Sequence, residues 1–285
     1  MAHRFRVPAE LVPALPEPAR KVLRGVYRGY GQATASLRPL PDFLILGAQK
    51  AGTTALYSYL RRHPEIGGPV WKEVSYFDRH YPRGTSWYRG QFPLRNEGRI
   101  AGEASPGYLF HPLAPERVNE TVPEARLIVL LRDPVDRALS HYHHEVALGR
   151  EPLPFAEAID AEPERTGGEE DRLVREPGYF SHAWWDYTYV ARGRYAEQLE
   201  RWLALFPREQ LLVLASEDLA AEPAETYGRV LEFLGRSPFE LDSYPRVYKQ
   251  DYSEMSLETR RRLAAEFAAP NTRLYDLLGR DFGWQ

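Results

Sequence analysis

The sequence predicts a three-layer α/β/α protein with a central, mainly parallel sheet and a phosphate-loop-like turn after the first strand. Three observations carry this reading. The apolar runs at Phe43–Leu46, Leu127–Leu131 and Leu211–Leu214 are continuous rather than alternating, as expected of strands buried on both faces. Each run is followed by a helical pattern, and strands alternating with helices form parallel sheets. A glycine-bearing turn, Gly47-Ala48-Gln49-Lys50-Ala51-Gly52, joins the first strand to its helix.

Residues 1–40 are rich in proline and arginine, with a short basic amphipathic helix expected over Arg20–Arg28, weakened by Gly25 and Gly29. They read as an N-terminal extension packed on a single domain spanning 41–285. After the strand at 42–47, Leu56, Tyr59 and Leu60 share a face of a helix predicted over Thr53–His63, which closes before Pro64. The strand Arg126–Leu131 leads through Arg132-Asp133-Pro134 into a helix from Val135 to about Leu148, with Pro134 near its first turn. Residues 151–175 have the composition of a loop, including Pro163, Gly167 and Gly168. Helical patterns flank the strand at 211–214 on both sides.

The 285 residues carry 37 Lys+Arg against 40 Asp+Glu, a net charge of −3, which excludes a nucleic-acid binder driven by bulk positive charge. With no cysteine there are no disulfides, thiolate nucleophiles or Cys-ligated zinc. No apolar run approaches the ~20 residues of a membrane helix, and the first twenty residues lack an apolar signal core. The expectation is a cytoplasmic protein with no membrane or nucleic-acid partner. Only four of the 37 basic residues are lysines, Lys21, Lys50, Lys72 and Lys249, so each raises the question of what arginine could not do there.

Gly47 and Gly52 have the spacing of a nucleotide phosphate loop, but Thr53 stands where that loop has lysine, and the lysine comes earlier, at Lys50. Backbone N–H groups at a helix start form an anion cradle whatever the phosphate ester. Arg132, at a strand end, and Ser140, on the next helix, can converge on a second phosphate at the open end of the sheet.

Phe43–Leu60 (FLILGAQKAGTTALYSYL) resembles the 5′-phosphosulfate loop of sulfotransferases that use 3′-phosphoadenosine 5′-phosphosulfate (PAPS), and Arg126–Tyr142 (RLIVLLRDPVDRALSHY) resembles their 3′-phosphate strand and helix. Lys72–Asp78, His80–Tyr88 and Leu277–Trp284 extend the resemblance over nearly all of 42–285, and it is greatest to the heparan sulfate 3-O- and N-sulfotransferase branch. The resemblance implies the sulfotransferase fold, PAPS as donor and PAP as product, and no required metal. It implies donor contacts from Lys50, Ala51, Gly52, Thr53, Thr54, Arg132, Ser140 and Lys249, and Glu73 as the general base. A lysine that family members often carry is Ala104 here, which leaves Lys50 and Lys72 as the cations for the transferring group.

Acceptor contacts are expected from His80, Tyr108, His144, Trp184 and Trp185, with a carbohydrate or a small metabolite as acceptor. The aromatic run 179–189 fits either an acceptor lid or core packing. The basic stretch Arg79, His80, Arg83, Arg89, Arg95 and Arg99 fits either an anion guide or a solvated face. His141 and Glu145 share a helix face without an evident third metal ligand. The alternative functions are a kinase or NTPase, with Asp133 as its Mg²⁺ carboxylate, and a non-catalytic PAP-binding module. Acceptor identity and oligomeric state are not legible.

Overall fold

The computed structural model describes residues 17–245 and 255–284. Strands β1 (Phe43–Gly47), β2 (Ile66–Gly67), β3 (Ile100–Ala104), β4 (Arg126–Leu131) and β5 (Leu211–Ala215) form one sheet in the spatial order β2-β3-β1-β4-β5. Every pairing is parallel. All five residues of β1 are buried, as are five of the six in β4, which is why these strands read as unbroken apolar runs. β2 pairs only Ile66 and Gly67 with Ile100 and Ala101, too short to leave a pattern.

Helices flank the sheet: α1 (Glu17–Ala33), α2 (Thr53–Leu60), α3 (Gly84–Arg89), α4 (Ala114–Thr121), α5 (Pro134–Ala147), α6 (Phe155–Thr166), α7 (Glu169–Arg175), α8 (His182–Tyr187), α9 (Tyr195–Leu203), α10 (Ser216–Ala221), α11 (Pro223–Phe233) and α12 (Leu257–Leu278). The chain goes from β1 to β2 at one edge, returns to β3 between them, then crosses to β4 and β5 on the other side. The order therefore reverses between β1 and β4, where open α/β sheets leave a crevice at the carboxyl ends of the strands. None of the described helices is long and apolar enough to cross a membrane.

Two sequence expectations change. The amino-terminal helix runs well beyond Arg20–Arg28. It packs on α3, where the Gly31 and Gly90 backbones approach so closely that a side chain on either would collide with the other. Most of 151–175 is helical rather than loop, as α6 and α7. The Glu162 carboxylate, buried, accepts N–H bonds from Val190 (2.7 Å) and Ala191 (2.9 Å), and Glu151 holds Arg165 at 2.6 Å. These tertiary bonds, with Ala158 and Ile159 buried, override a composition of prolines, glycines and charges. The double glycine marks only the break between α6 and α7.

Candidate active site

The turn after β1 brings its chemistry to the crevice by two backbone devices. Lys50 has φ 71° and Gly52 φ 91°, so the chain folds back before α2 starts; the first is unfavourable for a residue with a Cβ. Gly52 is the residue before α2, and Leu56 N–H bonds back to its carbonyl (3.2 Å). The N–H groups of Thr53, Thr54 and Ala55 thus have no partner inside the helix and face the turn with the positive end of its dipole. Burial pushes the Lys50 pKa down, and Arg132 pushes it the same way, while Glu145 and Glu73 oppose.

The second loop locks onto the first. Arg132, just after β4, donates from Nη1 to the Lys50 carbonyl (3.1 Å). Its own carbonyl accepts from the hydroxyl of buried Tyr195 (2.9 Å). Asp133 caps α5, its carboxylate accepting the N–H groups of Val135 (2.8 Å) and Asp136 (3.2 Å), and Ser140 is buried on that helix. Asp136 pairs with Arg260 at 2.5 Å, so neither acid competes for Arg132.

The third component is the segment after Trp71. Glu73 (φ 62°) and Ser75 (φ 50°) both lie in the left-handed region. Lys72 Nζ donates to Glu73 Oε1 (2.8 Å), and the Glu73 side chain remains half exposed. The Glu73 charge acts on Lys50 and on His144, which projects from α5. Burial and Lys50 push the His144 pKa down, and Glu145 and Glu73 resist. Lys50, Lys72, Glu73, Arg132 and His144 are therefore one electrostatic group at the carboxyl end of the sheet. Beside it is Asp78, buried, with neither carboxylate oxygen hydrogen-bonded among the described residues. Desolvation and the Glu103 charge raise its pKa to about 7, against Arg79.

The family model for the sulfotransferase domain matches residues 40–261. The chain is 31% identical to human heparan sulfate glucosamine 3-O-sulfotransferase 3B1, over all of this chain and 73% of that protein. It is 29% identical to the membrane-associated sulfotransferase kil1 of Dictyostelium discoideum, covering 86% of this chain and 67% of the relative. A sulfotransferase structure from Alicyclobacillus acidocaldarius superposes with a TM-score of 0.70 at 34% identity, covering 86% of this chain and 98% of that one. The chain belongs to the sulfotransferase family. It is an enzyme that transfers sulfuryl groups on the α/β sulfotransferase fold.

Not every residue expected in the sulfotransferase site lies there. Tyr108 is wholly buried. Its hydroxyl donates to Glu103 (2.7 Å) and accepts Tyr76 N–H (2.8 Å), so it is a core residue and not an acceptor contact. Trp184 is likewise core, stacked on Phe110 at 4.4 Å. Trp185 is partly exposed between the guanidinium groups of Arg79 (5.1 Å) and Arg192 (5.0 Å), and a side chain on Gly107 would strike both its ring and the Asp78 carboxylate. His80 packs edge-on to Trp87 (5.1 Å) among Arg83, Arg79 and Arg28, apart from the Lys50–Glu73 group. Lys249 lies outside the described residues. Several arginines of the basic stretch serve the fold: Arg89 donates to the Arg38 carbonyl (2.8 Å), Arg99 to that of Pro64 (2.6 Å), and Arg79 covers Phe180 (4.1 Å). His141 lies 3.5 Å from Glu145, both fully buried, and burial pushes the His141 pKa well down. Among the described residues no metal-sized group of His, Cys, Asp or Glu forms.

Sequence reasoning missed Asp78, Arg192 and Tyr195. Asp78 stood inside the quoted Lys72–Asp78 motif, and its signal was an acid in an otherwise apolar run, Tyr76-Phe77. Tyr195 and Arg192 carried no local signal, because their roles come from contacts with Arg132 and with Trp185.

Proposed function

We propose that this sulfotransferase moves the sulfuryl group of PAPS to a carbohydrate hydroxyl, with Glu73 as general base and no metal. The observation that carries this reading is the Arg132–Lys50 contact, which makes one anion-binding crevice of the two loops with the Glu73 charge acting on it. The donor set suits a nucleotide with two separate phosphate groups. The start of α2, with Lys50, would hold the 5′-phosphosulfate, and Arg132 with Ser140 the 3′-phosphate. Ala51, Gly52, Thr53 and Thr54 would supply the backbone wall. PAPS, when bound, supplies the sulfuryl group and its leaving phosphate.

Glu73 takes the acceptor hydroxyl proton as the new O–S bond forms, and the bond from sulfur to the bridging oxygen breaks in line with it. Lys50, with a lowered pKa, donates a hydrogen bond to that bridging oxygen as negative charge collects there. Lys72 donates to the Glu73 carboxylate and, with Ala104 where the family often has lysine, is the second cation near the transferring group. The sugar acceptor is proposed from the relatives named as heparan sulfate sulfotransferases. Asp133, bonded to two amides as the α5 cap, is poorly disposed to hold Mg²⁺, which disfavours a kinase.

The test pairs calorimetry with turnover. PAP should bind the wild type and Glu73→Gln with affinities within about twofold, while Glu73→Gln loses about 10²–10⁴-fold in kcat. No heat with PAP would overturn the donor assignment, and undiminished turnover of Glu73→Gln would overturn the base.

A further inference from the structure

The Glu103 carboxylate, near the end of β3, is completely buried; three neutral hydroxyls donate to it, and the Val74 backbone N–H donates to it as well. Tyr88 and Tyr108 both donate to Oε1 at 2.7 Å, and Ser105 donates to Oε2 at 2.6 Å. Two of the three hydroxyls pass the order on. Ser105 Oγ accepts the N–H of Ser75 (3.0 Å), and Tyr108 Oη accepts the N–H of Tyr76 (2.8 Å). The third, Tyr88, stacks flat on the Tyr76 ring, with centroids 4.3 Å apart and planes 8° apart.

A hydroxyl has one hydrogen and two lone pairs. Burial raises the Glu103 pKa, and the three hydroxyls and the Val74 amide oppose it. As a carboxylate Glu103 only accepts, so it draws all three hydrogens inward and leaves the Ser105 and Tyr108 lone pairs for the amides. Those amides close a segment whose residues Glu73 and Ser75 both take left-handed backbone, which side chains disfavour and surrounding structure must enforce.

We propose that Glu103 is the positioning residue of the reaction: through Ser105 and Tyr108 it clamps the Ser75 and Tyr76 amides and so holds the backbone that presents Glu73 to the crevice. This rests on Glu73 being the base. Glu103 touches no reactant. Its work is done by two hydroxyls, which explains why Tyr108 is needed although it faces no acceptor.

Ser105→Ala and Tyr108→Phe each remove one acceptor while leaving Glu103 itself intact. Hydrogen exchange on the full chain should show the Ser75 amide at least tenfold faster in Ser105→Ala, and the Tyr76 amide likewise in Tyr108→Phe, with β1 and β4 unchanged. PAP affinity should stay within twofold. With PAPS and heparan sulfate as probe substrates, kcat should fall tenfold or more with the PAPS KM nearly constant, and Ser105→Thr should restore it. In a Glu73→Gln background, Ser105→Ala should cost nothing further, because its effect acts through Glu73.

Unchanged exchange at these amides overturns the clamp, and so does an equal kcat loss in both backgrounds. The exchange arm needs no acceptor, so it decides the clamp even where heparan sulfate is not sulfated. If Glu73→Gln alone retains full turnover, the base assignment fails, and the positioning role falls with it whatever the exchange shows.

Discussion

Asp78 carries an electrostatic tension beside the crevice. Its pKa in the folded chain, raised to about 7 by burial, stands above the ~3.9 of an unfolded aspartate. Between those values the folded chain keeps a proton that the unfolded chain has lost. Stability therefore falls as pH rises from about 4 to about 7 and stays at its lower level above. Asp78→Asn removes the ionisation. It should match the wild type near pH 4 and exceed it near pH 8 by up to about 4 kcal/mol, read from urea denaturation at the two pH values. Sequence made Lys50, Glu73 and Arg132 legible because each sits in a local motif. It could not assign Tyr108 or Trp184, because an aromatic is used equally for packing and for binding. What decided against both was the polarity of their neighbours across the fold: Glu103 beneath one, Phe110 and Arg192 against the other.

At the scale of elements, the alternation of strand and helix was legible wherever a strand was buried on both faces, and β1, β4 and β5 lie where their apolar runs placed them. The two-residue β2 and the helices α6 and α7 were not legible, because their stability is non-local. α6 passes through Pro163, which lacks an N–H, and its register is held from outside by Glu162 on the amides of Val190 and Ala191. Glu162→Ala would leave both amides buried without an acceptor. The expected cost is about 2–4 kcal/mol, measured by chemical denaturation, against little change for the exposed Glu164→Ala. The same substitution should loosen the turn before α9, which carries Arg192 onto the Trp185 ring.

For the molecule as a whole, the sheet order turns a local motif into a site. β1 and β4 are neighbours although some eighty residues of chain separate them, so the two loops that follow them face each other across one crevice. The Arg132–Lys50 bond makes their coupling explicit. A ligand gripping both should stabilise the fold by mass action, about 2.7 kcal/mol at a hundredfold excess over Kd, seen as a rise of several degrees in Tm. Arg132→Lys keeps the charge but loses the planar fork, and should weaken PAP about tenfold, which at the same PAP concentration would roughly halve that rise. The carboxyl-terminal tail supports the same loop: Trp284 lies 5.8 Å from the Tyr195 ring, whose hydroxyl holds the Arg132 carbonyl.

The amino-terminal helix reaches the reacting edge too. Tyr27 on α1 meets Trp71 edge-on at 5.2 Å, one residue ahead of Lys72. Trimming α1, which an engineer would be tempted to treat as dispensable, should therefore lower turnover by freeing Trp71 and the Lys72–Glu73 pair beside it.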